Sequence, residues 1–260
     1  MTSHTPSVLL DLAATQSGFD LSQPEARPWL GYASTQSPLR VWLRAAPDGA
    51  LVAALSMRNV ALALASAALG APATGDLPAG AVHAVEVADR PALHRLLRRA
   101  WELARTLPDE LLHTFAKRTA ALPRTTEAER LVVQRVGQDV FRAGLLDYWQ
   151  GRCAVTGLAV RGLLRASHIK PWADCETDAE RLDVFNGLLL APQLDAAFDG
   201  GLLTFDDDGA VVLSWVLDAE ARALLAIDAA MRLKHLEDGH RRYLAYHRQV
   251  VFQGELLRLP

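Results

Sequence analysis

The spacing of hydrophobic positions changes character along the 260-residue chain. In the first third, Leu39-Arg40-Val41-Trp42-Leu43 alternates, Pro47-Asp48-Gly49 reads as a turn, and Leu51 to Leu55 forms a second apolar run. Alternation with a period of two lines one face of a strand, so these residues predict a β-hairpin. Val60 to Leu69 is alanine-rich and apolar nearly all round, which predicts a buried helix stopped by Gly70 and Pro72. Behind Pro91, apolar residues at Leu93, Leu96, Leu97, Ala100, Trp101 and Leu103 recur at spacings near three and four. That spacing predicts an amphipathic helix to about Leu107, after which Pro108 and Pro123 frame a short helical segment.

A long helix is predicted from Thr126, where Thr126-Glu127-Ala128-Glu129 has the form of a capping box and Leu131, Val132, Val136, Val140, Phe141 and Leu145 follow at helical spacing. Past Gly151 the pattern breaks into short apolar runs at Cys153–Thr156, Leu163–Ala166, Leu188–Leu190, Leu202–Phe205 and Val211–Ser214. Between them, Pro192 to Phe198 fits one short helix with Leu194 and Phe198 inward, and Asp206-Asp207-Asp208-Gly209 fits a hairpin turn. The fold class expected is α+β. An N-terminal mixed α/β module, residues 1–116, carries no motif that assigns its role; residues 117–260 form a second domain whose core lies at 150–215. Two strands, a loop and a short helix make too small a core alone, so the long helix and the later strands are expected to pack against it.

Composition narrows the class. Half the residues are hydrophobic and 22% are charged, which excludes global disorder. Two cysteines, Cys153 and Cys175, cannot form a disulfide scaffold or close a tetrahedral zinc site by themselves, and reduced thiols fit a cytoplasmic protein. The stretch around Val8 to Ala14 is short and lacks the basic flank of a signal peptide. Val60 to Leu69 is about half the roughly 20 residues that span a bilayer, so no membrane partner is expected. The net charge of −3 hides strong blocks: −1 over residues 1–116, +6 over 117–170, −11 over 171–220 and +3 over 221–260. A basic surface beside an acidic pocket suits a metal-dependent enzyme acting on a polyanion. Solvated helix faces and acidic loops give the same totals.

The residues able to do chemistry stand close together. Arg165-Ala166-Ser167-His168-Ile169-Lys170-Pro171-Trp172 puts a histidine at the end of an apolar strand; Asn186-Gly187-Leu188-Leu189-Leu190 starts another; Asp195 and Asp199, four apart, share one face of the short helix. Histidine, asparagine and a carboxylate pair supply a base for water, an amide to hold it and an oxygen-rich site for a hard cation. Each has a structural reading as well. His168 fits a hydrogen-bonded core histidine, Asn186 a turn residue before glycine, and Asp199 a helix end before Gly200-Gly201. Arg165 and Lys170, which flank His168, fit phosphate contacts or plain surface charge. Trp172 fits the core, and His240 to Arg248, where bases and aromatics interleave, fits either a docking helix or a phosphate track.

Cys153-Ala154-Val155-Thr156-Gly157, Ser167-His168-Ile169-Lys170-Pro171-Trp172, Asn186-Gly187-Leu188-Leu189-Leu190 and Asp195-Ala196-Ala197-Phe198-Asp199-Gly200-Gly201-Leu202 resemble, in order and spacing, the motifs of HNH endonucleases of the ββα-metal (His-Me finger) class. The closest resemblance is to the restriction-type bacterial branch, over about residues 123–215. The resemblance implies a ββα-metal nuclease domain within residues 117–260 that hydrolyses DNA phosphodiester bonds in restriction or defence. It makes His168 the general base, Asn186 the residue that holds the loop and orients the imidazole, and Asp195 a metal ligand that Asp199 can join. Asp195 stands where many relatives carry histidine, which favours Mg²⁺ or Mn²⁺ over softer ions. Ser167 stands where many relatives place a ligand, and the two CxxC pairs of the zinc-bearing subfamilies are absent, so no structural zinc is expected. A catalytically weak or inactive nucleic-acid-binding module on the same scaffold is the alternative. The residues do not separate RNA from DNA, and a homodimer is one way to supply two sites for double-strand cleavage.

Overall fold

The computed structural model describes residues 5–24, 27–66, 69–107, 110–123 and 125–254. The chain divides into two compact units, residues 1–107 and 108–260.

The first unit runs α1 (Thr5–Gln16), β1 (Leu21–Ser22), β2 (Leu30–Ala33), β3 (Val41–Ala45), β4 (Leu51–Leu55), α2 (Arg58–Ser66), β5 (Ala71–Pro72), β6 (His83–Val87) and α3 (Arg90–Ala104). Its strands form one antiparallel sheet in the order β1-β2-β3-β4-β6-β5. The predicted hairpin is β3–β4, with Val41 opposite Leu55 and Ala45 opposite Leu51. Alternation sends Val41 and Leu43 to one face, while Trp42 joins Trp29, Val52, Ala54 and Ala84 in a separate cluster on the other. The helix expected at 60–69 begins at Arg58 and is not buried all round, since Leu62 is 63% exposed; residues 67 and 68 lie outside the described residues. Among its described side chains, Val60, Ala61 and Leu64 form the stripe that enters the core. In α3, Asp89 accepts a hydrogen bond from the Ala92 N–H at 2.7 Å and Leu93, Leu96, Leu97, Ala100 and Leu103 are buried, the stripe that the spacing predicted.

The second unit begins with α4 (Glu110–Thr119) and α5 (Glu127–Tyr148). The division falls after Leu107 rather than after residue 116 because α4 packs on α5. The capping box of α5 is complete: the Thr126 hydroxyl accepts from the Glu129 N–H, and the Glu129 carboxylate accepts from the Thr126 N–H. After it come β7 (Arg165–His168), α6 (Asp178–Leu182), β8 (Gly187–Leu190), α7 (Pro192–Asp199), β9 (Leu203–Phe205), β10 (Val211–Leu213), α8 (Ala219–Leu225) and α9 (Asp238–Tyr246), which runs into a π turn at His247–Val251. β7 pairs antiparallel with β8, and β9 with β10. Cys153–Thr156 is a tight loop rather than a strand, hung on β8 by the Ala154 N–H to the Leu189 carbonyl at 2.7 Å. The acidic run at 206–209 is the β9–β10 turn.

The C-terminal helix is a docking element. His240, Tyr243, Leu244 and His247 are buried. Of the arginines among them, Arg242 pairs with Asp183 at 2.7 Å, Arg248 with Asp207 at 2.7 Å, and Arg241 donates to the Asp207 carbonyl. Past the π turn, the Gln253 N–H donates to the Gly201 carbonyl at 2.8 Å and the Ser214 hydroxyl donates to the Gln253 carbonyl.

Candidate active site

The β7–β8 ribbon has α5 on one face and α7 against it as well. Alternation along β7 puts Ser167 and Arg165 on one side and His168 on the other. His168 is directly opposite Gly187 of β8. A Cβ at Gly187 would lie 2.5 Å from Phe141 Cζ and 2.8 Å from both Leu145 methyls, so α5 presses on the strand where only hydrogen fits. That close approach, rather than a turn, is what places a glycine after Asn186. It also brings Phe141 under the imidazole, whose ring stacks on it with centroids 3.8 Å apart and planes 17° apart. Trp172 closes the next side of the ring edge-on at 5.4 Å.

The His168 ring has a defined tautomer. Its Nε2 lies 2.9 Å from the Arg181 carbonyl oxygen. A carbonyl only accepts, so the neutral ring carries its proton on Nε2 and leaves a lone pair on Nδ1. Among the described residues nothing hydrogen-bonds to Nδ1. Burial pushes the His168 pKa down to about 4, with the Arg181 carbonyl acting weakly the other way, so the ring is uncharged at neutral pH.

Asn186 is fully buried and holds the loop that follows the base. Its Oδ1 accepts from the Lys170 N–H at 2.7 Å, and its Nδ2 donates to the carbonyls of Lys170 at 3.2 Å and Glu180 at 3.1 Å and to Cys175 Sγ at 3.3 Å. The Ile169 N–H donates to its backbone carbonyl at 2.9 Å. Its amide does not touch the imidazole; it holds Lys170, Cys175 and Glu180, the chain that leads into the carbonyl that does. Asp183 sets the turn that delivers it: one carboxylate oxygen accepts from the Phe185 N–H at 2.9 Å, the other from Arg242 at 2.7 Å and Tyr243 at 3.0 Å. The Lys170 ammonium is engaged by Glu180 at 3.1 Å and is not free for a phosphate. Arg165 is exposed at the start of β7 and makes no hydrogen bond or ion pair among the described residues.

On the Ser167 side, the first turn of α7 brings Asp195 to the strand, and the Ser167 hydroxyl donates to its carboxylate. Asp199 follows one turn on. Desolvation of its carboxyl group and then repulsion by Asp195 push its pKa up to about 6, although the residue as a whole lies at the surface. No hydrogen bond or ion pair joins His168 to either aspartate among the described residues: Ser167 is bonded to Asp195, and His168 to the Arg181 carbonyl. Among the described residues no group of three or more His, Cys, Asp or Glu side chains converges as a metal cage. The donors that do lie together are all oxygen, and two carboxylates crowded enough to hold back a proton are a fit for a hard cation that keeps most of its waters.

Residues 153–206 match the family model described as HNH endonuclease. This segment is an HNH domain. Its family is one of nucleases acting on nucleic acid with a divalent metal. No curated protein matches the chain. Several residues that surround the candidate site carry no motif: Phe141 beneath His168, the Arg181 carbonyl that sets its tautomer, Cys175 and Glu180 around Asn186, and Asp183 with Arg242 and Tyr243. Phe141 at core spacing, Cys175 as a reduced thiol, and Arg242 and Tyr243 within the 240–248 run left traces in the sequence, but nothing there tied them to the site.

Proposed function

We propose that the protein is a DNA endonuclease dependent on Mg²⁺ or Mn²⁺, with His168 as general base, Asn186 as the residue that positions it, Asp195 and Asp199 as the metal-binding pair and Arg165 at the substrate phosphate. The observation that carries the reading is the hydrogen bond from His168 Nε2 to the Arg181 carbonyl within an HNH domain. It leaves a lone pair on Nδ1, so the neutral ring can take a proton from water there and become an imidazolium whose Nε2–H is still held by the carbonyl. Water attacks phosphorus as Nδ1 accepts its proton, and the bond from phosphorus to the leaving oxygen breaks. Asp195 and Asp199 would hold the metal ion, which when bound supplies positive charge to the pentacovalent phosphate and the leaving oxygen. The Ser167 hydroxyl fixes the Asp195 rotamer in advance of that. Asn186 keeps the His168–Lys170 backbone from shifting as the proton moves. The motif spacing of the restriction-type branch supports a role in restriction or defence, and a homodimer would bring the two sites that cutting both strands needs.

Nicking of supercoiled plasmid, methylated and unmethylated, and of single-stranded DNA and RNA tests the reading with Mg²⁺, with Mn²⁺ and with chelator. Cleavage of DNA that chelator abolishes and that falls about 10²- to 10⁴-fold in His168→Ala is the expected outcome. The absence of metal-dependent cleavage on every DNA substrate refutes it. A second reading, a nucleic-acid-binding module without chemistry, is favoured by the lack of a three-residue metal cage among the described residues. Mn²⁺ binding that is lost in Asp195→Ala counts against it.

A further inference from the structure

We propose that the outward face of α3 in the first unit is a docking surface for the phosphate backbone of duplex DNA, which makes residues 1–107 the part of the chain that holds the substrate. This rests on the nuclease reading for its choice of DNA. The charge of the first unit is segregated. Residues 90–105 contain five arginines, Arg90, Arg95, Arg98, Arg99 and Arg105, against one acid, Glu102. The rest of residues 1–107 has four arginines against seven acids. A helix face that is merely solvated mixes signs, as α5 does with Arg130, Arg135 and Arg142 among Glu127, Glu129, Asp139 and Asp147.

The buried stripe of α3 leaves Arg95, Arg98, Glu102 and Arg105 on one outward face, since these positions recur at three, four and three residues. At about 1.5 Å rise per residue, the line from Arg95 to Arg105 is about 15 Å long. A duplex presents about one phosphate charge per 1.7 Å of axis, so the line meets several. Arg90 and Arg95 are exposed and make no hydrogen bond or ion pair among the described residues.

Two of these arginines are held in place. The Trp101 ring has the Arg98 guanidinium 4.9 Å from its centroid and that of Arg105 at 4.3 Å, and its indole N–H donates to the Ser34 hydroxyl at 3.0 Å. An indole pinned by its own hydrogen bond and stacked by two guanidiniums restricts where they lie, and Arg98 also pairs through Nε with Glu102 at 3.2 Å, an acid that competes with phosphate on the same face. A phosphate then meets arginines whose side-chain freedom is already reduced.

The test measures binding of the full chain to a fluorescent duplex in chelator, across a salt series, so that affinity is read without cleavage. The variant Arg95→Ala/Arg98→Ala/Arg105→Ala should lower the magnitude of the slope of log K against log salt by about 2 to 3 and weaken binding about 10²-fold at 0.1 M salt. Arg95→Glu alone, at an exposed position with no internal partner, should weaken binding in the same direction, and Glu102→Gln should strengthen it. His168→Ala should bind as the unaltered chain does. Unchanged slope and affinity in the triple variant overturn the proposal, as does a chain that binds no duplex at all. Metal-dependent cleavage that survives with unchanged affinity in the triple variant removes this surface and leaves the nuclease reading standing. Binding that depends on these arginines without any cleavage does the reverse.

Discussion

Between pH 7 and pH 5 the second unit should lose much of its stability through three histidines that it keeps uncharged. His168, His240 and His247 are each pushed down to about 4, in every case chiefly by burial. His168 stacks on Phe141, His247 stacks on Phe198 at 3.9 Å, and His240 sits among Tyr148, Trp149 and Phe185. No carboxylate is hydrogen-bonded to any of the three rings among the described residues. Because each folded pKa lies below the ordinary value of 6.5, the unfolded chain binds more protons between pH 6.5 and 4. The stability is complete above pH 6.5 and is lost as pH falls. At pH 5 the linkage amounts to about 2 kcal/mol for each ring, or about 6 kcal/mol together, against about 5–15 kcal/mol for a whole domain. Asp199 works in the opposite sense, since its raised pKa favours the folded state on acidification, but its exposure makes that return small. Urea unfolding at pH 7, 6 and 5, with amide exchange in α5, α7 and α9 to isolate the second unit, measures the loss. The slope against pH should fall to about one third in His240→Gln/His247→Gln, because a single ring then remains to titrate. An unfolding free energy that stays level from pH 7 to pH 5, or a slope unchanged in that variant, refutes the reasoning.

The remaining predictions concern the ribbon. Gly187→Ala forces a methyl group against Phe141 and Leu145 and should cost about 1–3 kcal/mol in thermal or urea unfolding; an unchanged midpoint would mean that α5 does not sit as close as described. Asn186→Ala leaves the Lys170 N–H and the carbonyls of Lys170 and Glu180 without their buried partner and should cost about 3 kcal/mol. In that variant the Lys170 amide should also exchange faster with solvent, and protection equal to the unaltered chain would show that the loop does not depend on the asparagine.

What could be read from the amino acids was what neighbours in sequence decide. The Thr126 capping box, the β3–β4 hairpin and the α3 stripe rest on residues within one or two turns of one another, and each stands where its spacing put it. Cys153–Thr156 is apolar enough for a strand, yet its backbone turns on itself through Cys153 N–H to the Leu158 carbonyl and Gly157 N–H to the Cys153 carbonyl, so the run closes as a loop with one bond to Leu189 of β8. α6 is only five residues long and has no periodic stripe, so hydrophobic spacing gives no sign of it. In the site, His168, Asn186, Asp195 and Asp199 could be picked out because their spacing is a motif. The partner each side chain takes could not, because the carbonyl that meets His168 belongs to Arg181 of α6, which no motif marks. Lys170 offers a cation beside the base in sequence, but α6 folds Glu180 back onto it. The ambiguity at 240–248 was likewise one that only packing resolves, since an amphipathic helix with arginines on its flank reads the same whether its partner is a polyanion or the acidic β9–β10 turn.

The family match ends at residue 206, but the folded object does not. Phe141 and Leu145 come from before the matched segment, and His247, whose ring lies between the Thr204 hydroxyl and the Phe198 carbonyl, comes from after it. The Gln253 backbone closes on Gly201 in the same way, with no space for a side chain at that glycine. The HNH segment is therefore not a cassette that could be moved into another protein by its motif boundaries. A graft of 153–206 would carry His168, Asn186, Asp195 and Asp199 and arrive without the aromatic floor beneath His168 or the clasp behind α7. The portable piece runs from the start of α4 through Gln253, and it is that longer stretch on which insertions, truncations and gene fusions would have to be drawn.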